Sequence, residues 1–183
     1  MDERQFLRAR SVATASVAAA EWIFLVWQHL HGGVASHHLL ARADLPAISN
    51  GWGGLILPWV TWFLIGRVHR RVTSPAGMSM RYAVAGFISA LCFGALLSIF
   101  FTLGNDQVTG LMFESLFLIA LVAPIYRAEY LLGFVLGMAY TFGGVLPSII
   151  GSVMALITLV IHRYIRAGLL RVGGMFIRVV KRA

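Results

Sequence analysis

The residues with most scope for chemistry lie between Trp27 and Trp52, in the stretch WQHLHGGVASHHLLARADLPAISNGW. It holds four of the chain's six histidines, His29, His31, His37 and His38, together with Asp44, Ser49 and Asn50. Imidazole and carboxylate groups together suit zinc, iron or copper. Such an ion activates a water or polarises a carbonyl or phosphoryl oxygen, with a spare carboxylate as general base. The four histidines are therefore the candidate metal ligands, and Asp44 is a candidate catalytic carboxylate. The spacing limits that chemistry. His29-x-His31 points two ways on a helix, adjacent His37 and His38 cannot both face inward from one regular element, and no HExxH motif is present. Two or three of the four are expected to act. The plainer alternative is interfacial histidines bonded to backbone and headgroups.

Two further carboxylates, Glu21 and Glu114, stand inside long apolar runs. A carboxylate within a bilayer costs roughly 2.5–3.5 kcal/mol, so each is expected to face a bundle interior or water. On the first apolar run Arg10, Thr14, Glu21 and Gln28 share one helical stripe that leads up to His29 and His31. The expectation is that Glu21 and Glu114 converge with the histidines as catalytic or ion-carrying groups. Gln28, Asn50 and Asp106 are candidate substrate ligands. For Glu21 the alternative is a protonated carboxyl that only packs helices. For Asn50, with Ser49, it is a helix N-cap. The five tryptophans suit an aromatic belt at the membrane interfaces.

The elements that must position these groups are membrane helices. The chain of 183 residues is 59% hydrophobic and only 12% charged, about half the charged share of a soluble domain. The single cysteine, Cys92, excludes a disulfide framework or CxxC motif, and no Ser-His-Asp order is evident. The net charge of +8 does not indicate nucleic acid, because the basic residues stand at the ends of apolar runs. Ala18-Ala19-Ala20 resembles a signal-cleavage site, but Asp2, Glu3 and the Ala/Ser-rich run after them suggest a retained first helix.

A span needs about 20 apolar residues. The pattern predicts an all-α bundle of six, over about 11–30, 51–68, 82–103, 108–126, 130–146 and 147–164, with a loop at 31–50 and residues 1–165 as one membrane domain. Gly143-Gly144-Val145-Leu146-Pro147 supplies the turn between the last two. With the N-terminus inside, fourteen of fifteen basic residues fall on the cytoplasmic side and only Arg42 outside, as the positive-inside rule requires. Both termini are thus expected in the cytoplasm of a bacterial-type inner membrane, with the histidines external. Residues 166–183 read as a basic amphipathic helix on the anionic inner leaflet, since Arg171, Arg178 and Arg182 share a face opposite Leu169, Phe176 and Val180.

The external loop is too long for a turn and too apolar for disorder, so it is expected to fold back as a short helix or dip into the bundle mouth. Gly133-x-x-x-Gly137 is a close-packing seam, either internal or for a homo-oligomer. Three functions fit these features. The leading one is a metal-assisted, membrane-embedded enzyme acting on a lipid or other amphiphile. The second is a small-solute, metal-ion or proton-coupled transporter or channel using Glu21 and Glu114. The third is an accessory subunit of a membrane complex.

Overall fold

The computed structural model describes residues 3–38, 44, 46–75, 77 and 79–171. It is all-helical apart from one small hairpin. In chain order come α1 (Glu3–Leu30), β1 (Ser36–His38), β2 (Ala47–Ser49), α2 (Gly53–Val72), α3 (Met80–Thr102), α4 (Asp106–Val122), α5 (Ala128–Phe142) and α6 (Val145–Val160). A π-helical turn, Ile161–Ile165, carries α6 on to Arg171. Helices α1, α3 and the extended α6 are long and apolar enough to cross a membrane.

Local chemistry sets the helix ends. Gly32 and Gly33 have positive φ of 118° and 102° and stop α1, with the Gly33 N–H turned back to the Gln28 carbonyl. Asn105 caps α4 by accepting from the Val108 N–H at 3.1 Å. That helix stops at Val122 rather than reaching Tyr126, because Pro124 has no N–H to continue it. The Ala120 carbonyl left over accepts instead from His162 Nδ1 at 2.7 Å, which ties α4 to the π turn after α6. Gly143, at φ 68°, makes the expected tight turn from α5 into α6.

Helix α5 is the centre. It buries Glu129, Leu132, Gly133, Phe134, Val135, Met138 and Ala139, and packs against α2, α3 and α6, most closely against α3. Helix α1 lies antiparallel on α2: Glu21 meets Gly53 at one end, and Arg10 meets Gly66 at the other. Outward faces are apolar, with Ile23, Val26, Leu96, Leu118 and Leu156 exposed, whereas Glu21, Thr61, Ser98 and Glu129 are buried.

Three boundaries differ from those expected. Helix α1 starts at Glu3, ahead of the span expected over about 11–30, since the polar first turns continue its helical stripe through Phe6. Within 31–50 the described segments Ser36–His38 and Ala47–Ser49 pair as antiparallel strands, with His37 opposite Ile48, where a short helix was one expectation. Of the 166–183 tail only the portion to Arg171 is described, and it prolongs α6; residues 172–183, with the basic face expected there, lie outside the described residues.

Gly133 and Gly137 face α3 within the chain. A Cβ on Gly133 would collide with the Phe87 carbonyl oxygen, and one on Gly137 with that of Leu91. Gly133→Ala should lower unfolding stability by about 1–3 kcal/mol. Gly110→Ala, in open space on α4, should be neutral or stabilising by about 0.5–1 kcal/mol. Thermal unfolding of both variants in one detergent checks the pair.

Candidate functional site

Glu21 stands on the inner stripe of α1 with Phe6, Arg10, Thr14, Val17, Leu25 and Gln28, at the three- and four-residue intervals that bring side chains to one helix face. It is 6% exposed, and its Oε1 has no hydrogen-bond partner in the protein. What surrounds it is backbone. A Cβ built on Gly53 would overlap Glu21 Oε1 and lie 3.0 Å from the Gly144 N, so glycine here leaves the carboxylate its present place. Helix α2 begins at Gly53 and α6 at Val145. The carboxylate therefore sits beside two helix N-termini, the electropositive ends of the helix dipoles.

Asn50 closes the outer side of this chamber. It is 3% exposed, its Nδ2 has no protein partner, and its Oδ1 abuts Gly143. Its position is held by the hairpin: the Asn50 N–H bonds to the Ala35 carbonyl at 2.9 Å, and the Ala35 N–H to Gln28 Oε1 at 3.2 Å. Gln28 thus pins the hairpin base to α1. Ser49, and not Asn50, is the N-cap of the one-turn 3-10 helix Asn50–Trp52 that precedes α2, its Oγ accepting from the Gly51 N–H at 3.2 Å. His37 packs its ring against Phe142, and its Nε2 is buried without a protein partner.

Below the chamber the row continues. The pairings Glu21–Gly53 and Arg10–Gly66 fix the α1–α2 register and place Thr14 level with Thr61. Both hydroxyls are buried and unpartnered, whereas Thr102, Thr109, Ser148, Ser152 and Thr158 each bond back to their own helix carbonyls. Arg10 ends the row. Its Nε donates to the Trp62 carbonyl at 2.8 Å, and its guanidinium lies 3.8 Å from the Trp62 ring centroid.

The other expected site residues lie apart. Glu114 is exposed on α4 and does not join Glu21. His29, His31 and His38 are exposed, with His31 Nδ1 donating to the Trp27 carbonyl at 2.8 Å; Asp44 and Asp106 are exposed as well. Among the described residues no three His, Cys, Asp or Glu side chains come close enough to hold one metal ion. One further ion pair, between a half-buried arginine and a buried carboxylate, was not among the expected site residues. Glu129, 1% exposed, accepts from an Arg71 Nη at 2.6 Å. A charge at the start of an apolar helix opposite an Arg-rich helix end was the available signal. Compared with known proteins, the chain matches no family model, no curated protein and no solved structure.

Two predictions follow the geometry of the chamber. Gly53→Ala should destabilise by about 1–3 kcal/mol, because its methyl displaces the Glu21 carboxylate. Combined with Glu21→Ala it should cost less than the sum of the two singles, with a coupling of about 0.5–3 kcal/mol in a double-mutant cycle. Strict additivity would show that the carboxylate is not held there. The second concerns pH. Burial holds the His37 imidazole below its ordinary value. The folded state thus binds this proton less readily than the unfolded one, and stability is complete above the ordinary pKa of about 6.5 and falls as pH drops below it. The thermal-midpoint gap between wild type and His37→Phe should shift against wild type from pH 7.5 to pH 5, and a constant gap would contradict the buried placement.

Proposed function

We propose that the protein is a six-span membrane protein that moves protons across the bilayer, alone or coupled to a small solute, with Glu21 as the exchanging carboxylate. The observation that carries this is the row of buried polar atoms without protein partners: His37 Nε2, Asn50 Nδ2, Glu21 Oε1, and the Thr14 and Thr61 hydroxyls. Each such atom buried unsatisfied costs about 1–3 kcal/mol, so five along one side of a small bundle suggest a path that water or a proton occupies. A single carboxylate with hydroxyl and amide neighbours suits a proton better than a multidentate metal cage, which wants several oxygen ligands.

In this reading α2, α4 and α5 cross the membrane beside α1, α3 and α6, shortened by their glycine and proline turns. The apolar outward faces meet lipid, both termini lie in the cytoplasm, and the hairpin covers the external mouth, as the distribution of arginine favours. A bacterial-type inner membrane suits that arrangement. The metal-assisted enzyme is less well served: it needs imidazoles and carboxylates around one point, and of the four histidines only His37 turns toward the chamber.

The experiment is proton flux into proteoliposomes driven by an imposed potassium diffusion potential, read by an entrapped pH dye. Wild type should acidify or alkalinise the lumen faster than empty vesicles. Glu21→Gln should slow flux by about tenfold or more, a barrier increase of about 1.4 kcal/mol. Thr61→Val should slow it less, and Glu114→Gln, on the exposed face of α4, should leave it unchanged. Flux equal to empty vesicles, or undiminished in Glu21→Gln, would overturn the proposal.

A further inference from the structure

A second polar feature lies at the opposite end of the bundle, where α2 ends and α5 begins. A cavity of about 690 Å³ opens there, lined by Arg67, Arg70, Arg71, Arg127 and an apolar wall that includes Phe63 and Leu131. Phe63, Arg67, Arg70 and Arg71 recur at three- and four-residue intervals, so one face of α2 presents them together. No acidic side chain lines the cavity among the described residues. The nearest carboxylate described, Glu129, is already committed to Arg71 at 2.6 Å and holds that guanidinium in place. Arg71 Nε is buried and has no protein hydrogen-bond partner. Arg67 rests toward the Phe63 ring, 5.8 Å from its centroid.

We propose that this cavity binds the phosphate of an anionic phospholipid headgroup. Arginine offers planar donors that fit phosphate oxygens two at a time. The N-terminus of α5, which begins after Arg127, adds helix-dipole attraction for an anion. The apolar wall is what favours a lipid over free phosphate. Leu131 lines both this cavity and a neighbouring apolar one of about 330 Å³ between α3, α4, α5 and α6, bounded by Phe93, Phe134 and Met154. Headgroup and acyl chain thus each have a surface, one polar and one apolar, meeting at a single side chain. The depth is also right: in the proposed topology this end of α2 lies at the inner leaflet, where anionic lipids attract arginine. The site shares no residue with the Glu21 row, and lipid binding is read without flux, so either proposal can fail alone.

The full-length chain, purified in neutral detergent, is mixed with phosphatidylglycerol, phosphatidylcholine or inorganic phosphate. Retained lipid is counted by native mass spectrometry, which reads only folded protein. Wild type should retain phosphatidylglycerol over phosphatidylcholine. Arg67→Gln and Arg70→Gln should each weaken that preference on the order of fivefold, the effect of one arginine at an anionic headgroup. Arg81→Gln, which removes the same charge outside the cavity, should leave it intact. An equal loss in Arg81→Gln would reduce the effect to net charge and overturn the site. Inorganic phosphate at millimolar concentration displacing the lipid completely would assign the arginines to a soluble anion and overturn the lipid. Equal retention of both lipids by wild type would overturn both.

Discussion

Close approach of helix backbones is the constraint on which this fold depends. Helices whose outer faces are as apolar as their inner ones gain little from apolar contact alone, and small residues that let backbones touch must hold them together. Here α5 achieves this against α3 through Gly94, Gly133 and Gly137, each facing a carbonyl or Cα of the other helix. Gly151 does the same for α6, receiving the side chains of Leu131 and Phe134. At the far end Gly53 and Gly144 bring the starts of α2 and α6 together. That last approach does more than pack. It creates the gap that the Glu21 carboxylate occupies, so the candidate site is a by-product of how the bundle closes.

The two buried carboxylates show how differently one side chain can be accommodated. Glu129 is neutralised by Arg71 and fixes the basic end of α2 against the start of α5. Removing Arg71 would leave the buried Glu129 carboxylate uncompensated, which makes the pair a structural joint. Among the described residues Glu21 has no such cation; its neighbours are glycine backbone and two helix N-termini. A group held this loosely, in electrical terms, can exchange a proton without dismantling its surroundings. The contrast is the physical ground for placing function at one carboxylate and structure at the other.

Much of this was legible in the sequence, and the parts that were not share a cause. Helical periodicity found the Arg10–Thr14–Glu21–Gln28 stripe, and the structure turns all four toward α2 or the hairpin. The turn at Gly143-Gly144 follows from residue types alone. Glu114 was the failure: apolar flanks on both sides of a carboxylate do not reveal which way it faces, and α4 is the least enclosed helix, burying only Ala120. The histidines do not gather either: His29 and His31 stand exposed at the end of α1, and on the hairpin only His37 packs inward, the alternation that adjacent His37 and His38 imply. What one chain's pattern leaves open is long-range pairing, and Asn50–Gly143, Glu21–Gly53 and Arg71–Glu129 are all of that kind.

Arg10 bears on what the proposed path can carry. Its guanidinium is fixed below Thr14 and Thr61 by the Trp62 carbonyl and ring, between the polar row and the basic end of the bundle. A metal cation passing within about 4 Å of that fixed charge meets a repulsion of about 4 kcal/mol at an effective dielectric of 20. A proton handed between hydroxyl, water and carboxyl need never sit beside the guanidinium as a localised ion, and Arg10 holds no acceptor for it. In the proposed path the same residue disfavours sodium, potassium or divalent ions, and proton exchange at Glu21 stays open from the hairpin side. Selectivity in this reading rests less on the carboxylate, which any cation can approach, than on the arginine about three helical turns beneath it.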